Sequence, residues 1–593
     1  MNDNRNLVLA IALSLLVLLG WGYISQRWMP ANPPVTKTVN GRQVPVARPQ
    51  ASPAAQSPAA VQDLKTVLPQ TPRVTIATPR LAGSINLKGA RIDDLVLTTH
   101  RETIAPNSPP LRLLSPSGTR DSYFANFGWS GEGVKLPDAN TVWTTSGNRL
   151  TPQAPVTLSW DNGQGQVFHI RFAVDDAYLF TADQSVENRG TGAVAARAYG
   201  LVSRATESAD RGTWTIHIGP VGVFNGAANY SWSFDDLKKN GDQHFSSTGG
   251  WIGFTDKYWL TALVPDQHSG VDASFRTSPS GGFQADFAGN PTIVAPGHSA
   301  NLTSHFFAGA KEVRLLDRYS SELGTPIERA IDWGWFRWFM KPIFALLMWL
   351  YDHIGNFGVA ILCLTIIIRT LLFPIAQKQF KSMAGMRVIQ PKMKALQERH
   401  KDDKARMQQE ILKLYQEEKV NPMAGCLPIF IQIPIFYALY KVLMVSVEMR
   451  HKPFILWIKD LSAPDPLTPV NLFGFLPFDP PGILHIGVLA ILIGITMWLQ
   501  QKLNPPLPDP VQRKIFGFMP WFLMFVMAPF AAGLQLYWVT NNILSITQQK
   551  LLYARHPELR IAPTPPPPPP APTRDEAAGT PAGGNRRRKS RPQ

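Results

Sequence analysis

The apolar residues of this chain are gathered into blocks, and each block has the length of a bilayer crossing. One runs from Leu7 to about Ile24, and five more cover about 356–375, 427–447, 483–501, 515–532 and 534–552. A helix needs roughly 20 mostly apolar residues to cross the hydrocarbon core. Inside lipid it must also satisfy its own backbone polar groups. The blocks therefore predict a multi-pass α-helical membrane protein with six transmembrane helices, five of them grouped in the C-terminal half. Mean hydropathy near zero hides this, because polar stretches separate the blocks.

Those stretches differ in texture. Residues 1–26 are expected to be an uncleaved anchor rather than a signal peptide. A single Arg5 precedes the apolar run, and the exit through Trp21-Gly-Tyr-Ile-Ser-Gln-Arg-Trp28 offers no small-x-small cleavage site. Residues 27–72 are rich in Pro, Ala and Gln, which favours a disordered or polyproline-like linker. From 73 to 320 short alternating runs such as Val167-Phe-His-Ile-Arg-Phe-Ala-Val174 are punctuated by Gly, Asn, Asp and Pro. That pattern predicts an all-β sandwich. Residues 327–352 hold Trp333, Trp335, Trp338 and Trp349 with Arg337, Lys341 and Pro342. Aromatics of this kind mark the membrane interface, so an amphipathic helix on the membrane surface is expected, with a proline-broken span as the competing reading. Residues 353–555 form the five-helix core, with a cytoplasmic helical hairpin at 376–420. A basic, proline-rich disordered tail covers 556–593.

Loop charge sets the orientation. The loop 376–425 carries eleven Lys and Arg against six acidic residues, and 502–514 carries three against one. The tail after Tyr553 has eight against three, whereas 448–482 has three against four. Both termini are therefore expected in the cytoplasm and the large domain outside, in the periplasm. The only cysteines are Cys363 and Cys426, which supply neither a disulfide framework nor a metal pattern. No nucleotide loop, metal cluster or catalytic triad is visible, and no cofactor is expected. The net charge of +16 points to anionic phospholipids or nucleic acid as partners.

Arg369 is the most informative side chain. It interrupts an apolar run, costs about 2.5–3.5 kcal/mol in hydrocarbon on insertion scales, and keeps its proton. It either snorkels to the cytoplasmic headgroups or faces a wet cavity within the helix bundle. Thr365 lies one turn earlier on the same face, although a lone Thr in such a helix usually bonds its own backbone. The last block is too polar to face lipid all round. Tyr537, Asn541 and Ser545 share one face, with Gln535, Trp538 and Asn542 beside it, and Gln432 and Gln501 are candidates for the same space. Each reads equally well as polar glue between helices. Lys441 sits toward the external end of its block and is expected to snorkel. In the cytoplasmic loop, Met383, Met386, Met393 and Met407 recur with other apolar residues at helical steps. They suit hairpin packing or adaptable contact with varied apolar partners.

Several strings resemble the YidC family of membrane insertases (YidC/Oxa/Alb). They include Thr365-Ile-Ile-Ile-Arg-Thr-Leu-Leu-Phe-Pro374, Met386-Arg-Val-Ile-Gln-Pro-Lys392 and Glu418-Lys-Val-Asn-Pro-Met-Ala-Gly-Cys-Leu-Pro428, with Phe454-Ile-Leu-Trp457 and Gly533-Leu-Gln-Leu-Tyr537 in family order. The resemblance covers about residues 330–555 and extends more weakly outward, as in the Gram-negative form with a large periplasmic domain of sugar-binding-like fold. It implies an insertase rather than an enzyme, receiving nascent membrane proteins in a hydrophilic groove centred on Arg369. It assigns Trp538 to substrate contact, where many relatives carry tyrosine, and implies a mobile hairpin over the groove entrance. A Sec translocon is an implied partner, and the basic tail and cytoplasmic loops suit the ribosome or lipid headgroups. Two other functions fit the residues less closely. One is a polytopic transporter or channel, and the other a periplasmic carbohydrate-binding protein with a membrane anchor.

Overall fold

A computed structural model describes residues 61–555, apart from 211–215, 279–280, 335, 401–402, 419–426, 477, 479, 481–484 and 504–509, together with 38–39 and 42–43. The expected anchor at 1–26 and basic tail at 556–593 lie outside the described residues. Within the expected linker, Thr38–Val39 pairs with Arg42–Gln43. Leu64–Val67 and Leu68–Gln70 form short helical turns. The disordered reading therefore fails at its C-terminal end, where Gln62 N–H donates to Gly118 O and Gln70 bonds Gln62. The chain contacts divide into two compact units, Met1–Phe357 with Ala438–Ala463, and Gly358–Tyr437 with Pro464–Gln593.

The first unit is built on two sheets, of nine and eleven strands among the described residues, and nearly every pairing is antiparallel. Strand Leu179–Asn188 shows why they stack. Phe180, Ala182, Gln184, Val186 and Asn188 are buried, while the alternate residues are partly exposed, as the pleat requires. Its partner Ser299–Ala310 pairs Ala182 with Ser304 and Gln184 with Leu302. The core between the sheets is aromatic. Phe127 meets Phe172 and Phe306 edge-on at 5.9 and 6.5 Å, a geometry that adds to burial.

Several polar groups in this core are satisfied in networks. Arg204 donates to Asp256 and to Thr206 O and lies over the Tyr123 and Phe234 rings. Lys311 is fully buried, and its ammonium donates to Thr255 Oγ1 at 2.8 Å and Asp256 O at 2.7 Å. Burial lowers its pKa from 10.5 to about 8, against the pull of Asp256.

The longer helices described in this unit are α1 (Phe234–Asn240), α2 (Val313–Leu323) and α3 (Arg337–Ile354). Ser233 and Asp236 close a capping box on α1. Gly324 ends α2 in a left-handed conformation, as a C′ residue without a Cβ readily does. Helix α3 buries Met340, Phe344, Leu347, Met348 and Leu350 and leaves Trp338 and Trp349 exposed. Its charges are paired: Lys341 with Asp317, Arg337 with Glu328, and Asp352 with Arg314. Pro342 lies inside the helix, in its second turn, and leaves the Trp338 carbonyl without its usual backbone donor.

The second unit contains α4 (Phe357–Leu371), from Gly358 on, followed by α5 (Phe373–Arg399), α6 (Lys404–Glu417) and α7 (Leu427–Val445), whose last turns belong to the first unit. Then come α8 (Val488–Leu503), α9 (Pro510–Met527) and α10 (Ala532–Arg555). The block at 356–375 breaks at Leu372 because Pro374 cannot donate to the preceding turn. Asp465 caps α8, accepting from Leu489 N–H at 2.8 Å. Gly494 of α8 faces Met524 of α9, where a Cβ would make an ordinary contact at 3.4 Å. Among the described residues, no helix is long and apolar enough to cross a membrane. With 15 residues, α4 spans only about 22 Å, and α10 is interrupted by amides and hydroxyls.

Lys441 departs from expectation. It is 1% exposed and pairs with Asp332 at 3.2 Å, so it does not snorkel. A local carboxylate replaces the water that its ammonium would otherwise seek. Glu448 nearby in sequence accepts from Val313 N–H and Ser446 Oγ, both at 2.9 Å.

The buried amine of Lys311 makes the outer domain pH-sensitive. Between about 8 and 10.5 the unfolded chain binds the proton that the folded chain has lost, so stability rises with pH across that window. In Lys311→Met this rise, worth up to about 3 kcal/mol, should vanish. Denaturant unfolding followed by tryptophan fluorescence at both ends of the window checks it, as the difference between wild type and variant.

Candidate functional site

The second unit places Arg369, near the end of α4, against α10. Arg369 Nε donates to Asn541 Oδ1 at 2.7 Å, and Nη2 donates to Ser545 Oγ at 2.6 Å and Asn541 O at 3.4 Å. Ser545 Oγ in turn donates to Asn541 O at 2.7 Å. All these acceptors are neutral. Among the described residues no carboxylate pairs with Arg369, so its hydrogen bonds are met while its charge is not cancelled. Residues 537, 541 and 545 recur every four positions and so present one polar stripe.

One turn before Asn541, Tyr537 continues the stripe. It is buried, and its hydroxyl accepts from Gln432 Nε2 of α7 at 2.7 Å. Trp538 turns its half-buried ring edge-on to Phe436, with centroids 4.7 Å apart. Arg369, Asn541, Ser545, Tyr537, Gln432 and Trp538 are thus contributed by three helices, α4, α7 and α10.

Other expected members lie elsewhere. Thr365 is buried and its hydroxyl donates to Ile361 O at 2.6 Å, the back-bond usual for Thr in a helix. Asn542 points to α8, donating to Thr496 Oγ1 at 2.9 Å. Gln501 is half-buried at the end of α8, more than a turn beyond Thr496. Gln535 donates to Met527 O, Ala528 O and Phe530 O and so caps the end of α9. Ser545 was recognisable in sequence only by its spacing from Asn541. Thr496 carried no signal, because nothing local marks it as the partner of Asn542.

In the hairpin, Met393 packs with Ile389 and Leu414, and Tyr415 Oη donates to its sulfur at 3.2 Å. This methionine belongs to the seam between α5 and α6 rather than to an open stripe. Met407 is half-buried on α6. The side chains of Met383 and Met386 lie outside the described residues.

The Gln432–Tyr537 bond joins two helices directly, and its strength is measurable. A double-mutant cycle with Gln432→Leu and Tyr537→Phe should give a coupling of about 0.6 kcal/mol, and no more than about 1.7. Unfolding of the detergent-solubilised chain under graded denaturant supplies the four free energies.

Comparison with known proteins covers nearly the whole chain. The model of the YidC periplasmic domain matches residues 73–346, and that of the 60Kd inner membrane protein matches 349–558. The membrane protein insertase YidC of Zymomonas mobilis is 50% identical over 565 residues, covering 94% of this chain and 97% of that protein. The namesake in Methylobacterium nodulans is 44% identical over 583 residues, covering 94% and 96%. A crystal structure of an active YidC insertase with its first transmembrane domain resolved aligns with 82% of this chain and 94% of its own, at 18% identity and a TM-score of 0.35. The chain belongs to the YidC family of membrane protein insertases.

Proposed function

We propose that this chain inserts membrane proteins by offering client segments a polar path centred on Arg369. The observation that carries this reading is the guanidinium bonded, among the described residues, only to neutral oxygens. A charge in a low-dielectric setting is normally paired. Here the Asn541 and Ser545 oxygens solvate it without neutralising it, so an acidic client residue still gains Coulomb energy on approach. The work is energetic rather than covalent. A polar or acidic stretch that hydrocarbon cannot solvate finds hydrogen bonds part-way across, while the adjoining apolar segment moves into lipid. Gln432, Tyr537 and Asn541 supply groups that form and exchange such bonds, and Trp538 an aromatic wall.

The rest of the architecture serves this site in the proposed reading. Six spans, with the anchor at 1–26, put both termini in the cytoplasm and the sandwich in the periplasm. The exposed Trp338 and Trp349 of α3 suit a helix at the outer interface. The hairpin of α5 and α6 receives nascent membrane proteins on the cytoplasmic side. The basic loops and tail meet anionic phospholipids or the ribosome, and a Sec translocon shares some clients. Thr365, Asn542 and Gln501 act as helix glue rather than contact positions, given their bonds and placement.

The electrostatic part is tested by substitution. In reconstituted vesicles Arg369→Ala should lose insertion of acidic-tailed clients about 10-fold or more, the equivalent of roughly 1.4 kcal/mol, while clients without acidic residues lose less. Arg369→Lys, which keeps the charge but not the planar fork, should recover part of the loss. Equal insertion of both client classes by Arg369→Ala would sink the proposal.

A further inference from the structure

The connection that leads into α8 is folded inside out. From Pro466 to Phe478 the sequence carries no charged residue, and its polar side chains are the ones that are covered. Thr468 is fully buried and Asn471 is 9% exposed. The apolar side chains face outward. Val470, Leu472, Phe473, Leu476 and Phe478 are between 40 and 55% exposed, and Phe475 is 87% exposed. A loop in water does the reverse, and so continuous an apolar surface marks contact with another apolar phase.

The backbone keeps the side chains turned out. Leu472 and Phe473 are left-handed, with φ of 50° and 58°, a conformation that residues with a Cβ avoid. The loop meets its own donors all the same. Val470 N–H donates to Thr468 Oγ1 at 3.3 Å, Phe473 N–H to Thr468 O at 2.9 Å, Leu476 N–H to Asn471 O at 3.1 Å and Phe478 N–H to Leu476 O at 2.9 Å. Irregular backbone is not tolerated bare in hydrocarbon, so such a loop sits no deeper than the headgroup–acyl boundary, where internal pairing lessens the cost of leaving water.

The loop is fixed to the start of α8. Leu467 O accepts from Val488 N–H at 2.9 Å, and the Asp465 carboxylate accepts from Leu467 N–H at 3.0 Å and Leu489 N–H at 2.8 Å. Helix α8 has 16 residues, about 24 Å of helix against about 30 Å of hydrocarbon. It also turns Ile495, Trp498 and Leu499 outward. The loop continues this apolar surface at the end where the helix stops short. A protein partner matches it less well, because the exposed face offers no polar side chain to fix a register.

We propose that the loop from Val470 to Leu476 is a wedge in the outer leaflet, seated at the headgroup–acyl boundary of the bilayer and making up the length that α8 lacks. Entry of about 5–10 Å is what an interfacial apolar surface reaches, and it matches the shortfall of the helix. The proposal rests on the six-span reading, in which α8 enters the membrane from the periplasmic side.

Nitroxide labels on the full chain in phosphatidylcholine vesicles test it, with Cys363 and Cys426 changed to alanine. Glu132→Cys, at an exposed position of the sandwich, gives the water reference. At Phe475→Cys the ratio of collisions with oxygen to collisions with a water-soluble nickel chelate should exceed that reference at least about 5-fold. A label at Ile495→Cys reads the span itself. Lipid contact at 495 with water contact at 475 would overturn the wedge and leave the span standing, whereas water contact at both would overturn both. Spin–spin broadening between 475 labels would assign the face to a second copy and overturn the wedge as well. The length-compensating role is read by client insertion. Phe473→Ser combined with Phe475→Ser should match the unsubstituted chain in short-chain dimyristoleoyl lipid and lose several-fold in long-chain dierucoyl lipid, where the mismatch is larger. An equal loss in both lipids, or none in either, would overturn that role.

Discussion

A guanidinium that cannot lose its proton has to be solvated wherever it is placed, and this requirement shapes the second unit. Arg369 receives its solvation from Asn541 and Ser545, which explains why α10 is less apolar than α4, α7, α8 and α9. The stripe then extends itself. Tyr537 lies one turn along, and burying its hydroxyl requires a partner, which Gln432 supplies from α7. One charge thus accounts for polar residues on two other helices, because each buried polar group calls for the next.

Several cations of the first unit are handled differently, although its buried Lys311 amine also rests on neutral oxygens. Lys441, Lys341 and Arg337 each meet a carboxylate, Asp332, Asp317 and Glu328 respectively. Pairing both satisfies and cancels the charge, which suits groups that hold structure. Solvation by neutral oxygens satisfies hydrogen bonds and leaves the field in place, which suits the client-attracting role proposed for Arg369. The distinction lies in the chemistry of the acceptor rather than in the degree of burial.

Sequence made the broad plan legible because its signals are local. Alternating apolar residues gave the sandwich, and the four-residue spacing of Tyr537, Asn541 and Ser545 gave the stripe. What it could not supply were partners distant along the chain. Nothing near Lys441 announces Asp332, more than a hundred positions earlier, so the sensible local expectation was snorkelling. By helical geometry Asn542 looked like a neighbour of the stripe and Thr365 like a companion of Arg369. Their bonds, to Thr496 on α8 and to the Ile361 carbonyl, depend on how neighbours fill the space and on a competition that the backbone wins. The short helical turns before residue 73 were masked by composition, since Pro and Ala around them argue only about averages.

The hydrogen bond between Val313 N–H and Glu448 has a modular consequence. Burial already pushes the Glu448 carboxyl above its usual range, and Val313, the first residue of α2, is one of the two donors described for it. Helix α2 is held from both sides, because its Tyr319, fully buried, also donates to Asp175 and packs on Phe307 of the sandwich. A shortened chain starting just upstream of α2 keeps this carboxylate capped and brings Asp332 along for Lys441. One starting beyond α2 keeps Asp332 but strips Glu448 of a donor. Loss of the sandwich would in turn leave the Tyr319 hydroxyl without Asp175, so α2 is a joint that neither neighbour can shed without baring a buried polar group.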